Sequence, residues 1–178
     1  MKRVSLIMMA AVVGVAGQGA WAQDITLGLP IYNGSGCQQG SASAVLSSDA
    51  TALSILFSEY TAEVGGMTGI RSIRKTCNIA VPVNVPQGMT VAVLGVDYRG
   101  FNYLPSGAMS RFSVEYFFAG QRGLYGSRTF YGPLSQDFLI EHDLIASALV
   151  WSDCGQQVIM RANTGLFVNT NRSYSDAF

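Results

Sequence analysis

The sequence carries little charge, and its shortage of basic side chains excludes a large class of functions. Charged residues make up 12% of the chain, and its lysines are Lys2 and Lys75. If Lys2 and Arg3 belong to a leader that is removed, nine basic residues stand against eleven acidic ones, a net charge near −2. A protein that binds nucleic acid presents a basic face to the phosphates. We therefore expect no nucleic-acid partner.

Histidine and cysteine are also scarce, which limits metal and catalytic sites. His142 is the only histidine, and the three cysteines, Cys37, Cys77 and Cys154, form no CxxC pair. A structural zinc site needs four ligands at short spacings. A calcium loop would be rich in aspartate, and a phosphate-binding loop would continue into Lys-Ser or Lys-Thr. None of these patterns occurs, so we expect no metal and no other cofactor.

The first 22 residues have the pattern of a secretory signal peptide. Met1-Lys2-Arg3 is a charged start, residues 4–17 are a short apolar run, and Ala20-Trp21-Ala22 places small residues two apart, as signal peptidase requires. We expect cleavage after Ala22, which divides the chain into a leader, 1–22, and a mature domain, 23–178. The apolar run is short for a bilayer span, and no later stretch reaches that length. The sequence thus predicts a secreted protein, extracellular or periplasmic, with no membrane span after cleavage.

The length of the mature chain predicts one domain, and its compartment predicts a disulfide. About 156 residues suit a single domain that buries roughly two thirds of its unfolded surface. Compartments outside the cytoplasm are oxidising. With three cysteines, one thiol is left over or pairs between chains. Spacing alone does not choose among the three possible bridges.

The surroundings of the cysteines favour a bridge between Cys37 and Cys77. Cys37 ends a glycine-rich loop, and Cys77 opens a strand after the longest irregular segment, residues 59–76. A bridge would restrain both regions, and closing a loop of about 40 residues is worth about 4 kcal/mol in the loop-entropy model. Cys154 lies in a turn after Trp151, and we expect it to remain a thiol. Nothing local excludes the rival pair, Cys77 with Cys154.

Periodicity predicts an all-β fold. No helix-length segment sustains a 3.6-residue period, whereas many short strands alternate with glycine-bearing turns. This pattern favours a single-domain, mostly antiparallel β-sandwich, jelly-roll-like or immunoglobulin-like. The strands that we predict are 44–47, 52–58, 77–85, 90–96, 111–118, 127–131, 137–141, 148–151, 158–161 and 166–169.

Five details of these strands are specific enough to check. Residues 90–96 are apolar on both faces, which predicts burial on both sides. Residues 111–118 alternate, with Phe112, Val114, Tyr116 and Phe118 on one face. Pro82 inside strand 77–85 indicates a sheet edge or a bulge. We expect turns at 97–103 and at 163–165, the second closing a last hairpin.

Several landmarks together resemble a known family. They are Gly-Ser-Gly-Cys-Gln-Gln-Gly-Ser at 34–41, Arg-Lys-Thr-Cys at 74–77, Val-Pro-Gln-Gly at 85–88, Val-Asp-Tyr-Arg-Gly at 96–100, Phe-Tyr-Gly-Pro at 130–133 and Trp-Ser-Asp-Cys-Gly at 151–155. In order and spacing the set is similar to a family of small secreted proteins of fungi and bacteria, domain of unknown function 4360. The resemblance implies secretion and a β-rich domain, and it implies no established activity. The chain departs from the family pattern by having Cys37-Gln38 instead of Cys-Pro. It also lacks a late cysteine of longer members, which would explain the unpaired third cysteine.

The densest group of polar and aromatic side chains gives a candidate binding surface. It comprises Asp97, Tyr98, Arg99, Phe101 and Tyr103. Exposed aromatic groups of this kind stack on sugar rings or on protein surfaces. A core built from the same aromatic residues, with tyrosine hydroxyls at its rim, is the alternative that the sequence leaves open.

Two further groups are candidates for catalysis. Asp97, Glu115, Asp137 and Glu141 lie on strands that could be neighbours, and two carboxylates about 5 to 9 Å apart suit glycoside hydrolysis. The simpler interpretation pairs Asp97 and Glu115 with Arg99 and Arg111. A Ser-His-Asp or Cys-His arrangement would have to use His142, but its neighbours in sequence point to the opposite face of a strand. A solvated turn histidine is the simpler interpretation.

These observations favour a non-enzymatic binding or structural protein at the cell surface or in the medium. Its expected partner is an extracellular protein or a glycan. The alternatives are a hydrolase that acts on an extracellular polymer through a carboxylate pair, and an inhibitor or effector of another secreted protein.

Overall fold

The structure, a computed structural model, describes residues 10–14, 25–49, 51–66, 69–118, 120, 123–143, 157–171 and 177–178, with side chains for all of these except 10–14. These residues contain no α-helix and eleven strands. The strands are β1 (Ala10–Gly14), β2 (Thr26–Leu27), β3 (Ile31–Asn33), β4 (Ala42–Leu46), β5 (Ala52–Phe57), β6 (Ser72–Asn84), β7 (Val91–Leu104), β8 (Ala108–Phe118), β9 (Leu124–Tyr131), β10 (Leu134–Asp143) and β11 (Gln157–Thr170).

The strands form two sheets. One has the order β10-β7-β1-β5-β4, and the other has the order β2-β6-β11-β8-β9, with β3 also paired to β6. All strand pairs are antiparallel. Most buried side chains of the two sheets form one large core, in which the rings of Tyr98 on β7 and Phe112 on β8 lie 4.5 Å apart, and a smaller cluster lies around Leu104 and Val168. The prediction of an all-β sandwich is confirmed. No helix of the described residues is long and apolar enough to span a membrane.

The two-residue period of the sequence places the side chains as predicted on β8. The aromatic and apolar residues of its inward face, Phe112 to Phe118, are at most 3% exposed, whereas Arg111 is exposed. On β7 the prediction of burial on both faces is confirmed only for the first three residues. Val91, Ala92 and Val93 are buried, but Leu94 and Gly95 are only partly buried. From Val96 onward the inward residues of β7 are the even-numbered ones.

The predictions of turns at 97–103 and at 163–165 are wrong. Residues 97–103 continue β7, because β10 pairs with this strand from Leu104 back to Gly95. Residues 163–165 lie inside β11, which has β6 on one side and β8 on the other. Gly165 suits this place because an added Cβ would lie 2.9 Å from the Arg74 side chain and 3.1 Å from the Ser113 hydroxyl. The predicted loop at 59–76 also ends early, since β6 begins at Ser72.

Pro82 lies within a long strand and yet breaks no pairing. β2 pairs with β6 at residues 83 and 84, and β3 pairs with it at residues 78–80. Between these two short strands the Gly28 amide donates to the Pro82 carbonyl at 2.7 Å. The nitrogen of a strand residue points to the same side as its carbonyl, so the missing N–H of Pro82 faces this interruption. The prediction of an edge position or a bulge is therefore wrong, since β6 is paired on both sides and its register with β11 is regular at Pro82. The proline is accommodated because two short partners leave an interruption opposite it.

The predicted disulfide is confirmed. Cys37 and Cys77 are bonded, their Cα atoms are 5.4 Å apart, and 40 residues separate them in sequence. The bridge joins the loop after β3 to the middle of β6, and both cysteines are fully buried. The prediction that Cys154 remains a thiol concerns a residue outside the described ranges, as does the predicted strand 148–151.

Part of the predicted leader lies inside a sheet. The backbone of β1 pairs with β5 through Ala10 and Ala11 and with β7 between Val91 and Val96. Because β1 is antiparallel to both neighbours, β5 and β7 run parallel to each other across it. Further along β7, Phe178 pairs with Tyr103 through two backbone hydrogen bonds. Removal of residues 1–22 would thus take a central strand out of this sheet.

Candidate functional site

One face of the sandwich collects most of the candidate residues, and we call it the β7–β10 face. It consists of outward side chains of two paired strands: Asp97, Arg99, Phe101 and Tyr103 on β7, and Asp137, Leu139 and Glu141 on β10. Successive side chains of a strand point to opposite faces, so four of the five predicted binding residues share one surface. Tyr103 is 42% exposed, and the residue opposite Arg99, Leu139, is 49% exposed.

Tyr98 does not belong to this surface. Its side chain is 0% exposed and packs in the core against Phe112 and Tyr116. Burial raises the pKa of its phenol well above the ordinary value, and the neighbouring Tyr116 phenol adds to the shift. Tyr98 therefore contributes packing at the centre of the sandwich, and only its neighbours on β7 remain candidates for direct contact with a ligand.

Three aromatic side chains form a continuous group, which we call the aromatic strip. The rings of Tyr103 and Phe178 are stacked, with centroids 5.4 Å apart and planes 30° apart. The ring of Phe101 lies 6.4 Å from that of Phe178. Two backbone hydrogen bonds hold Phe178 beside β7: its N–H donates to the Tyr103 carbonyl at 2.9 Å, and its carbonyl accepts from the Tyr103 N–H at 2.6 Å. Sequence reasoning missed Phe178, since no local pattern near residue 178 indicates a partner on β7.

The structure brings together three of the four candidate carboxylates. Asp97 lies directly opposite Glu141, and Asp137 lies opposite Phe101, with Arg99 between them on β7. Residues directly opposite in an antiparallel pair have Cβ atoms about 4.5–5.5 Å apart. Glu115 is not part of this group, since it is on β8 in the other sheet. The expected pairing of Arg111 also differs, because its guanidinium lies over the Phe167 ring, 5.9 Å from the centroid.

His142 is neither in a turn nor fully solvated, contrary to the interpretation favoured by its neighbours in sequence. It lies on β10, opposite Val96, and its Nδ1 shares a hydrogen bond of 3.0 Å with the Tyr116 hydroxyl. Burial lowers the pKa of the imidazole and raises the pKa of the Tyr116 phenol. Gly126 on β9 allows the close approach, because an added Cβ would lie 2.7 Å from the ring. The pair links the two sheets across one margin of the sandwich.

Residues 23–178 match a family whose description is "domain of unknown function", DUF4360. The chain belongs to the DUF4360 family. The DUF4360 match begins where the predicted mature domain begins and includes both bridged cysteines. Over 134 residues, 75% of its length, the chain is 31% identical to an "uncharacterized secreted protein" of Arthroderma benhamiae. These residues are 55% of that protein, so the DUF4360 chain spans about half the length of the curated relative that it matches.

Proposed function

We propose that this DUF4360 protein is secreted and binds an extracellular glycan, without catalysis, through its β7–β10 face. The observation that carries the proposal is the aromatic strip, in which Tyr103 stacks on Phe178 at the exposed end of a face that also carries Asp97 and Arg99. The disulfide and the secreted relative support a role outside the cytoplasm.

The chemistry of the face suits a sugar. An aromatic ring has a negative face, which attracts the weakly positive C–H groups on one side of a pyranose. Carboxylates accept hydrogen bonds and the guanidinium of Arg99 donates them, so the polar part of the face can bind sugar hydroxyls. A binding surface on a strand pair is also rigid, which reduces the ordering cost of association.

A glycan array with the secreted protein tests the proposal, followed by titration calorimetry with the best ligands. N-terminal sequencing of the same material tests whether the mature chain starts at Gln23. We expect Tyr103→Ala to weaken binding about tenfold, which corresponds to about 1.4 kcal/mol and is at the upper end for one aromatic contact.

Tyr131→Ala is a matched control, because Tyr131 is 71% exposed but lies on β9 in the other sheet. It should leave the affinity unchanged. If no glycan binds, or if both substitutions weaken binding equally, the β7–β10 face is not a glycan site. Capture of one secreted protein through the same face, abolished by Tyr103→Ala, would point to the inhibitor or effector role instead.

The carboxylate pair is the specific observation that favours a second candidate, a hydrolase of an extracellular polymer. Asp97 and Glu141 face each other across β7 and β10, and retaining glycosidases hold their carboxyl groups about 5–5.5 Å apart. Glu141 is exposed and Asp97 is half-buried on this open face. Release of reducing ends from polysaccharides, abolished by Asp97→Asn but unaffected by Asp137→Asn, would establish this activity and overturn the non-enzymatic proposal.

A further inference from the structure

Beside the aromatic strip, a small apolar pocket enters the space between the two sheets. Phe101 and Phe178 contribute to both the strip and the pocket. The other apolar walls come from both sheets and from the segment after β5, and they include Tyr60, Phe138, Leu166 and Val168. The free space inside is about 40 Å³. Since roughly 10–15 Å³ of such space holds one water, the pocket accommodates a group of only a few heavy atoms.

One buried polar group in the pocket has no partner in the described part of the chain. Asn102, which lines the pocket, is 5% exposed, and its amide nitrogen Nδ2 makes no hydrogen bond there. The amide oxygen is satisfied, because the Ser110 hydroxyl donates to Oδ1 at 2.7 Å. A buried donor without a partner costs about 1–3 kcal/mol, and such groups are rare enough in folded proteins to need an explanation.

None of the hydroxyl groups in the described part of the chain accepts a hydrogen bond from this amide nitrogen. The Thr164 hydroxyl donates to the Cys77 carbonyl at 3.0 Å, so the hydrogen bond of 2.9 Å between Tyr60 and Thr164 is donated by the tyrosine. The hydroxyl hydrogens of Tyr60, Thr164 and Ser110 are thus all donated within the protein, so none of these three groups has a hydrogen left to donate to a ligand. Asn102 therefore contributes an unpaired donor to the lining of a mostly apolar pocket, and a single polar group of this kind fixes the orientation of a small ligand group in binding pockets.

We propose that this pocket binds the acetyl group of an N-acetylated sugar, and this rests on the glycan binding proposed above. An acetamido group has one methyl group for the apolar walls and one carbonyl oxygen that accepts a hydrogen bond from Asn102 Nδ2. Its size fits the free space, and the shared residues Phe101 and Phe178 place the pocket next to the aromatic strip that would hold the sugar ring. The pocket thus makes the site selective for acetylated over non-acetylated glycans.

The test uses the secreted protein and pairs of ligands that differ in their acetyl groups. Nuclear magnetic resonance follows the side-chain amide of Asn102 while triacetylchitotriose, its deacetylated counterpart or cellotriose is added. N-methylacetamide serves as a minimal probe of the pocket alone. We expect the acetylated trisaccharide to bind about tenfold more tightly than the other two, the effect of roughly one net hydrogen bond, and to shift the Asn102 amide resonances.

A double variant, Asn102→Leu with Ser110→Ala, removes the donor without leaving the serine hydroxyl unpaired. It should lose the preference for acetylated ligands but keep the weaker binding through the aromatic strip. Ser110→Ala alone keeps the donor and should keep the preference. These variants are compared only after their circular dichroism matches that of the parent. If a variant does not fold, the comparison of acetylated and non-acetylated ligands on the unaltered protein still tests the proposal.

The outcomes separate the two proposals. Equal affinity for acetylated and non-acetylated trisaccharides, or a preference that survives in the double variant, overturns the acetyl pocket while glycan binding stands. A shift of the Asn102 amide by N-methylacetamide with no binding of any glycan supports the pocket and overturns the proposed function. No response to either kind of ligand overturns both and leaves a pocket that holds water only.

Discussion

Replacement of Tyr98 by phenylalanine separates a core role from a binding role at the centre of β7. The ring is fully buried. Its hydroxyl makes no hydrogen bond of good geometry in the described part of the chain, and its polar neighbour is the phenol of Tyr116. Removing the hydroxyl relieves the cost of burying an unpaired polar group, about 1–3 kcal/mol, and loses the small dispersion contribution of one oxygen atom. We expect Tyr98→Phe to raise the free energy of unfolding by about 1 kcal/mol, or to leave it unchanged.

Two further substitutions set the scale. Tyr98→Ala removes a whole buried ring beside Phe112 and should cost about 3–5 kcal/mol, as for other large aromatic residues in cores. Tyr103→Ala on the exposed side of the same strand removes the stacking on Phe178 and should cost about 0.5–1.5 kcal/mol, less than Tyr98→Ala. The affinity for a glycan should depend on the exposed tyrosine instead: Tyr103→Ala should weaken binding, and Tyr98→Phe should leave it unchanged.

Urea denaturation followed by far-ultraviolet circular dichroism measures these changes, with the slope m compared among variants so that shifts of the midpoint report stability. For a domain of this size, 1 kcal/mol corresponds to about 2–4 °C in the melting temperature. A loss of more than about 0.5 kcal/mol in Tyr98→Phe, beyond the usual range of neutral changes, would show that the hydroxyl has a partner. A neutral Tyr98→Ala would show that the core is elsewhere.

Three other predictions concern the bridge, the histidine and the first strand. Replacing Cys37 and Cys77 together by serine should lower stability by about 4 kcal/mol, measured by denaturation, and reduction of the parent protein should reproduce most of the loss. Because burial lowers the pKa of His142, the unfolded chain takes up its proton first, so stability should fall as pH drops below about 6.5, the ordinary histidine value. That fall should be smaller in His142→Asn, and equal falls in both proteins would contradict the assignment. In a chain that begins at Gln23, amides of β5 and β7 that face β1 should exchange faster than in the full chain, and equal protection in both would show that these strands do not depend on β1.

Local patterns determined the all-β class, the alternation of several strands and one crosslink. The alternation on β8 and on β10 follows from the two-residue period of a strand, and the burial of Phe112, Tyr116 and Ile140 agrees with it. The bridge between Cys37 and Cys77 could be predicted because both cysteines border segments with few side chains to restrain them. The family could also be inferred, since six short landmarks in the right order are specific even where each one is weak.

Tertiary structure alone decided which of these elements meet. Tyr98 and Tyr103 look alike in sequence, and their burial differs because only one side of β7 faces the other sheet. Thr164 and Gly165 have the composition of a turn, but they remain extended because β6 and β8 satisfy their backbone groups on both sides. The association of Phe178 with Tyr103 depends on pairing between distant segments. A local pattern records which side of a strand is apolar, whereas the partner that covers that side is determined by the packing of the whole chain.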